Sequence, residues 1–183
     1  MNDNRQKWLL EDATEAEKKL VLSCAADAAT KVLKPAGFKK ERLNWRATFE
    51  KTIVSLNCQK SAYGGEFYIN LYVHFRELAD TYDYDTKSQI NEVSARLPPP
   101  YEEPDFRDLS EVLIYRCPRH LDEKAKILEM AFERFALPFL LNFDTLPKAK
   151  KAIAEPDAVF RPAIMGSVYK FYNIPYLKTE TQQ

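Results

Sequence analysis

Two alternating segments joined by a short connection constrain the fold of this chain most. Apolar residues occupy every second position of both segments, namely Val54, Leu56 and Cys58 in the first and Phe67, Ile69, Leu71, Val73 and Phe75 in the second. Because successive strand residues point to opposite faces, the pattern predicts two strands that each bury one side. The connection at 61–66 contains Gly64 and Gly65, which adopt positive φ without a steric penalty, so an antiparallel hairpin is predicted.

A helix is predicted before the hairpin. Thr14 and Glu17 have the spacing of a capping box, in which the hydroxyl and the carboxylate satisfy free amides at a helix start. Apolar residues then recur at helical spacing until Pro35 and Gly37, which favour a helix end. The predicted helix covers 15–33.

A second, longer helix is predicted at 121 to about 141. Its apolar face comprises Leu121, Ala125, Leu128, Phe132, Phe135, Ala136 and Phe139. Lys124, Glu129 and Glu133 are expected on the opposite, solvent-facing side. Pro138 should bend or loosen the last turns rather than abolish the helix.

The remaining pattern completes an α+β fold. Alternation predicts further strands at about 42–50 and 89–97, and a shorter helix follows near 146–155. Proline and polar residues make 98–104 an extended connector. We therefore expect a single α+β domain over 1–183, with an antiparallel β-meander of three to five strands and helices packed on one face. For 109–117 and 160–177 the sequence leaves the structure open.

Composition excludes several classes of partner and setting. Lys plus Arg and Asp plus Glu both number 27, so no net field attracts nucleic acid or an anionic membrane. No apolar stretch is long enough for a signal peptide core or a bilayer span. Three widely spaced cysteines, Cys24, Cys58 and Cys117, suit free thiols in a reducing compartment. The expected location is the cytoplasm.

Several short motifs in one order carry a family resemblance. They are Leu33–Lys40, Asn44–Arg46, Leu56–Ser61, Gly64 and Phe67–Leu71. In these the chain resembles a mostly bacterial family catalogued as domain of unknown function 4304, over about 20–145, which leaves 146–183 as a helical and irregular C-terminal extension. The resemblance implies an intracellular bacterial protein. It transfers no reaction, cofactor or catalytic residue.

No motif for catalysis, metal binding or nucleotide binding stands out. Four glycines cannot form a phosphate-binding loop, and no G-x-S-x-G elbow is present. Cys117 and His120 form one close pair of metal ligands, which is too few for a zinc site. The sequence indicates no cofactor and favours a protein without catalytic activity, although it does not exclude an enzyme.

The strand residues that point away from the helices form the candidate functional surface. We select Arg46, Asn57, Gln59, Lys60, Tyr68, Asn70, Tyr72 and His74 as candidate ligand-binding or partner-binding residues. Pairing across the hairpin should place Gln59 near Tyr68, Asn57 near Asn70 and Ser55 near Tyr72. Amides and phenols side by side suit hydrogen bonding and stacking, so the leading hypothesis is a binding module for an unknown protein or small molecule.

Four alternatives remain open at this stage. The C-terminal segment 169–176 could cover this face, or the face could simply be solvated. A small-molecule enzyme could use a pocket near His74, with Tyr68 and Lys60. A single-stranded nucleic-acid binder could stack bases on Tyr68 and Tyr72, but the neutral net charge disfavours it. The sequence does not specify the oligomeric state.

Overall fold

Helix α1 (Glu15–Leu33) has the predicted bounds. The computed structural model describes residues 7–8, 13–62, 64–79, 91–98, 106–156, 160 and 162–175. The Thr14 hydroxyl accepts a hydrogen bond from the amide of Glu17 at 3.2 Å, and the Glu17 carboxylate accepts one from the amide of Thr14 at 2.7 Å. The capping box therefore fixes the helix start.

Six strands form one antiparallel sheet in which each strand pairs with the next along the chain. They are β1 (Lys39–Glu41), β2 (Asn44–Thr48), β3 (Thr52–Lys60), β4 (Phe67–Phe75), β5 (Val93–Leu97) and β6 (Ala163–Ile164). The α+β meander is confirmed, with slightly more strands than expected. The additional strands are the two edges, which are too short for alternation to reveal in the sequence.

The β3–β4 hairpin has the predicted register. Gln59 pairs with Tyr68, Asn57 with Asn70, and Ser55 with Tyr72. Both glycines of the connection have positive φ, +86° at Gly64 and +40° at Gly65.

Helices cover one face of the sheet. The buried strand residues on that face include Trp45, Ala47, Val54, Leu56, Cys58, Phe67, Ile69, Leu71 and Val73. The Trp45 indole donates a hydrogen bond to the Thr30 hydroxyl of α1 at 3.2 Å. Lys31 of α1 forms an ion pair with Glu129 at 2.6 Å, which joins α1 to the second long helix.

That second helix runs through the predicted span. It consists of α4 (Leu121–Ala131), a π-helical turn at Phe132–Ala136, and α5 (Leu137–Leu141). Pro138 lies just after the π-helical turn, in which the amide of Leu137 donates to the carbonyl of Phe132. The wider turn lets the helix continue past a residue that has no amide hydrogen to donate.

Lys124 corrects one prediction for this helix. It was expected on the solvent side, but it is only 2% exposed. Its ammonium group donates to the carbonyls of Ile114 and Tyr115 at 3.3 and 3.5 Å, because the segment after the preceding helix folds over it. Burial lowers the pKa of Lys124.

Short elements complete the described structure. They are α2 (Arg76–Ala79), α3 (Arg107–Val112), α6 (Leu146–Ala154) and α7 (Gly166–Tyr172). The open segment 109–117 is therefore helical at its start, and an isolated bridge then joins Ile114 to Glu66. The described part of the fourth predicted strand is β5, which begins at Val93, while positions 89–90 and most of the connector 98–104 lie outside the described residues. None of the helices in the described ranges combines the length and apolar character that a bilayer crossing demands.

Leu128→Ala and Phe132→Ala should each lower the free energy of unfolding by about 2–5 kcal/mol, since both side chains are fully buried and leave cavities. Urea denaturation measures the loss. Met130→Ala is the matched control on the same helix, because Met130 is 46% exposed and should change stability by about 0.5 kcal/mol or less. Losses below about 1 kcal/mol for both buried positions would contradict this packing.

Candidate functional site

The sheet surface opposite α1, here called the polar face, is organised in rows that run across the strands. One row contains Lys39, Arg46, Ser55, Tyr72 and Ser94, and the next contains Glu41, Asn44, Asn57, Asn70 and Arg96. Directly paired residues on one face are neighbours about 5 Å apart. The two rows therefore contain four of the eight predicted candidate residues, and Gln59 pairs with Tyr68 in the next row.

The amides of the polar face bind mainly to one another. The Asn57 side chain donates to the Asn44 side chain at 2.7 Å, and the Asn70 side chain donates to Gln59 at 2.9 Å. Asn70 is only 4% exposed. Asn70 is therefore placed to orient its neighbours rather than to contact a partner directly.

Arg96 is held in place by two of the predicted residues. Its Nε donates to Asn70 Oδ1 at 3.3 Å, and its guanidinium carbon lies 4.3 Å from the centre of the Tyr68 ring. The Tyr68 hydroxyl is in turn 3.2 Å from the Ser61 hydroxyl. Within the described part of the chain no carboxylate forms an ion pair with Arg96. The terminal nitrogens of this exposed guanidinium are thus available to an anion.

Sequence reasoning did not select Arg96. The signal was present, because Glu92, Ser94 and Arg96 alternate with the buried Val93 and the half-buried Ala95. Only the pairing of β5 beside β4 places that alternate set on the polar face.

Arg46 lies on the polar face as predicted, directly opposite Lys39 of β1. Both side chains are exposed, and neither forms an ion pair among the described residues. Like charges at directly paired positions destabilise a sheet. Fold stability therefore does not explain this pair.

Tyr72 lies near the middle of the polar face and is half-buried. Burial raises the pKa of its phenol, while the positive charge of Arg96 acts in the opposite direction. Tyr72 therefore combines apolar contact area with a polar group at the surface.

His74 lies at the far end of β4, beside a buried carboxylate. Glu92 is 2% exposed, and its Oε2 lies 3.1 Å from His74 Nδ1 and accepts a hydrogen bond from the Phe75 amide at 3.1 Å. His74 lies six positions along β4 from Tyr68, which corresponds to about 20 Å.

Lys60 is the predicted residue that does not share the polar face. It pairs with Phe67, on the side of the sheet that faces the helices, and its ammonium lies 3.8 Å from Glu15 at the start of α1. The trio of His74, Tyr68 and Lys60 is consequently not assembled into one pocket.

The described part of the C-terminal segment packs on the helix side. The Tyr172 ring of α7 lies 5.3 Å from that of Phe75, and Tyr169 contacts the same hydrophobic core. Burial raises the pKa of Tyr172 to about 12. Tyr176, which was also considered as a cover for the polar face, lies outside the described residues.

A cavity of about 350 Å³ lies away from the polar face, next to α5 and α6. Its lining includes Phe139, Asn142, Lys148 and Lys151. The described residues contain no cluster of three or more His, Cys, Asp or Glu side chains suited to a metal ion.

The residues that match a known sequence family include the strands β1 to β5 that form the polar face. The family described as Domain of unknown function (DUF4304) matches residues 29–126. The chain belongs to this family. The DUF4304 match contains both rows of the polar face, including Arg46 and Arg96, and it ends within α4. Neither the curated proteins nor the solved structures include a match to this chain.

Glu92→Ala should lower the free energy of unfolding by about 1–3 kcal/mol, because the buried Phe75 amide loses its acceptor. Urea denaturation of Ser94→Ala provides the comparison, since Ser94 lies two residues further along the chain, in β5, and is half-buried. Equal losses for the two variants would show that the Glu92 carboxylate contributes nothing specific.

Thiol labelling should distinguish the three cysteines, all of which are free. Burial raises the pKa of Cys58 to about 12 and also raises that of the half-buried Cys24. At pH 8 the native protein should therefore react slowly with the thiol reagent, first at Cys24. The denatured protein should react with three equivalents of the reagent per chain. Rapid native labelling of Cys58 would contradict the buried environment.

Proposed function

We propose that this protein is a non-catalytic interaction module that binds a partner through the polar face. The observation that carries the proposal is the state of Arg96. Its guanidinium is exposed, stacked on Tyr68 and tethered to Asn70, yet no described carboxylate pairs with it. A fixed side chain loses little conformational entropy on binding, which is a property of effective contact residues.

The shape and layout of the polar face support binding over catalysis. Small-molecule sites are usually concave, whereas these contact residues are spread over neighbouring strands of one sheet face. The three residues considered for an enzyme pocket lie apart, with Lys60 on the opposite side of the sheet. Tyr72, Arg46 and Arg96 instead offer the aromatic and guanidinium groups that are enriched in protein interfaces.

The proposed setting is the cytoplasm of a bacterium. Three free cysteines, two of them buried, support a reducing compartment. The bacterial assignment rests on the family resemblance.

Affinity capture from a lysate of the source organism, followed by mass spectrometry, tests the proposal. The test variant is Asn57→Ala combined with Tyr72→Ala, which alters the polar face without changing its charge. We expect it to lose the captured partner. Because Tyr72 is half-buried, the stability cost should be about 1–2 kcal/mol, smaller than that of Phe132→Ala.

The matched control is Asn142→Ala combined with Met130→Ala. It also removes one amide and one large side chain, but from exposed positions away from the sheet, Asn142 just after α5 and Met130 in α4. The control should capture the same partner as the unmodified protein. Retention of the partner by the polar-face variant, or its loss from both variants, would refute binding through the polar face.

A further inference from the structure

We infer that the partner is a protein that presents an acidic surface, with Arg96 as its principal anchor. This inference rests on the proposed function and specifies the chemistry of the same face. Asn70 receives the Nε hydrogen bond of Arg96 at 3.3 Å. The two terminal nitrogens remain, and they form the planar fork that binds a carboxylate in bidentate fashion.

The charges of the polar face have one predominant sign. Exposed positive groups are supplied by Lys39, Arg46 and Arg96, and the two rows contain one exposed carboxylate, Glu41. Lys39 and Arg46 are directly paired like charges without a described counter-ion. A carboxylate-bearing partner would relieve their repulsion. Partner binding therefore explains this pair of like charges, whereas fold stability does not.

The two ends of this positive surface are far apart. Arg46 in β2 and Arg96 in β5 are separated by three strand spacings and one row, or roughly 15 Å. A single carboxylate cannot contact both. The separation fits several acidic side chains on one partner surface, and it disfavours a small anion.

Single-stranded nucleic acid would also supply anions, but the aromatic groups do not favour it. β-Sheets that bind single-stranded nucleic acid stack the bases on open aromatic rings. The Arg96 guanidinium covers one face of the Tyr68 ring, and Tyr72 is half-buried. The chain also has equal numbers of positive and negative side chains, so it lacks the excess positive charge that such binding draws on.

Backbone amide shifts in nuclear magnetic resonance spectra provide the test. The labelled protein is titrated with a capped hexaglutamate peptide, with the corresponding hexaglutamine peptide, and with a six-nucleotide oligothymidylate, at about 20 mM salt to limit screening. We expect hexaglutamate to shift resonances at Arg46, Tyr68 and Arg96, and hexaglutamine to shift none. The oligothymidylate should bind more weakly than hexaglutamate.

Variants at Arg96 make the test specific. Arg96→Gln should weaken hexaglutamate binding about tenfold, and Arg96→Lys should restore only part of it because an ammonium lacks the fork. Arg107→Gln is the charge-matched control, since Arg107 is an exposed arginine on α3. It should bind hexaglutamate like the unmodified protein.

Several results would overturn the acidic-partner inference. They are no hexaglutamate binding, shifts away from the polar face, equal weakening by Arg107→Gln, tighter binding of the oligothymidylate, or self-association that Arg96→Gln abolishes. The lysate capture separates this inference from the proposed function. If Arg96→Gln keeps the partner that Asn57→Ala with Tyr72→Ala loses, the polar face binds but the acidic anchor is wrong.

Discussion

The register of the β3–β4 hairpin determines which side chains this protein buries and which it presents. Strand side chains alternate with a period of two, so a slip of one residue would move Leu56 and Ile69 to solvent and Asn57 and Tyr68 into the core. Burial of the apolar set under α1 opposes such a slip. The same constraint that forms the core therefore aligns the rows of the polar face.

Local signals predicted much of this fold. The capping box at Thr14 and the alternation around Gly64 required only neighbouring residues, and both elements formed as expected. Edge strand β1 has three residues, too few for a period to be visible. The burial of Lys124 depends on carbonyl groups of 114 and 115, whose position no local pattern specifies.

The candidate site also contains residues that local patterns predict and residues that only tertiary contacts place. Alternation within β3 and β4 predicted the cross-strand pairs of the polar face. The same alternation places Lys60, four residues after Leu56, on the helix side, so its inclusion among the candidates was wrong. Arg96 was missed because local alternation alone does not reveal its position on the polar face. Its alternation was visible, yet its role depends on β5 pairing beside β4, which is a tertiary fact.

Asn70 shows why the polar face cannot be divided simply into structural and functional residues. It is nearly inaccessible, yet it links the Gln59 amide to the Arg96 guanidinium. Its removal would leave the charge of the face unchanged while loosening the orientation of Arg96. Charge and orientation are thus supplied by different residues. For the acidic partner that we propose, selectivity would come from a guanidinium that is oriented before the partner arrives, rather than from additional charge.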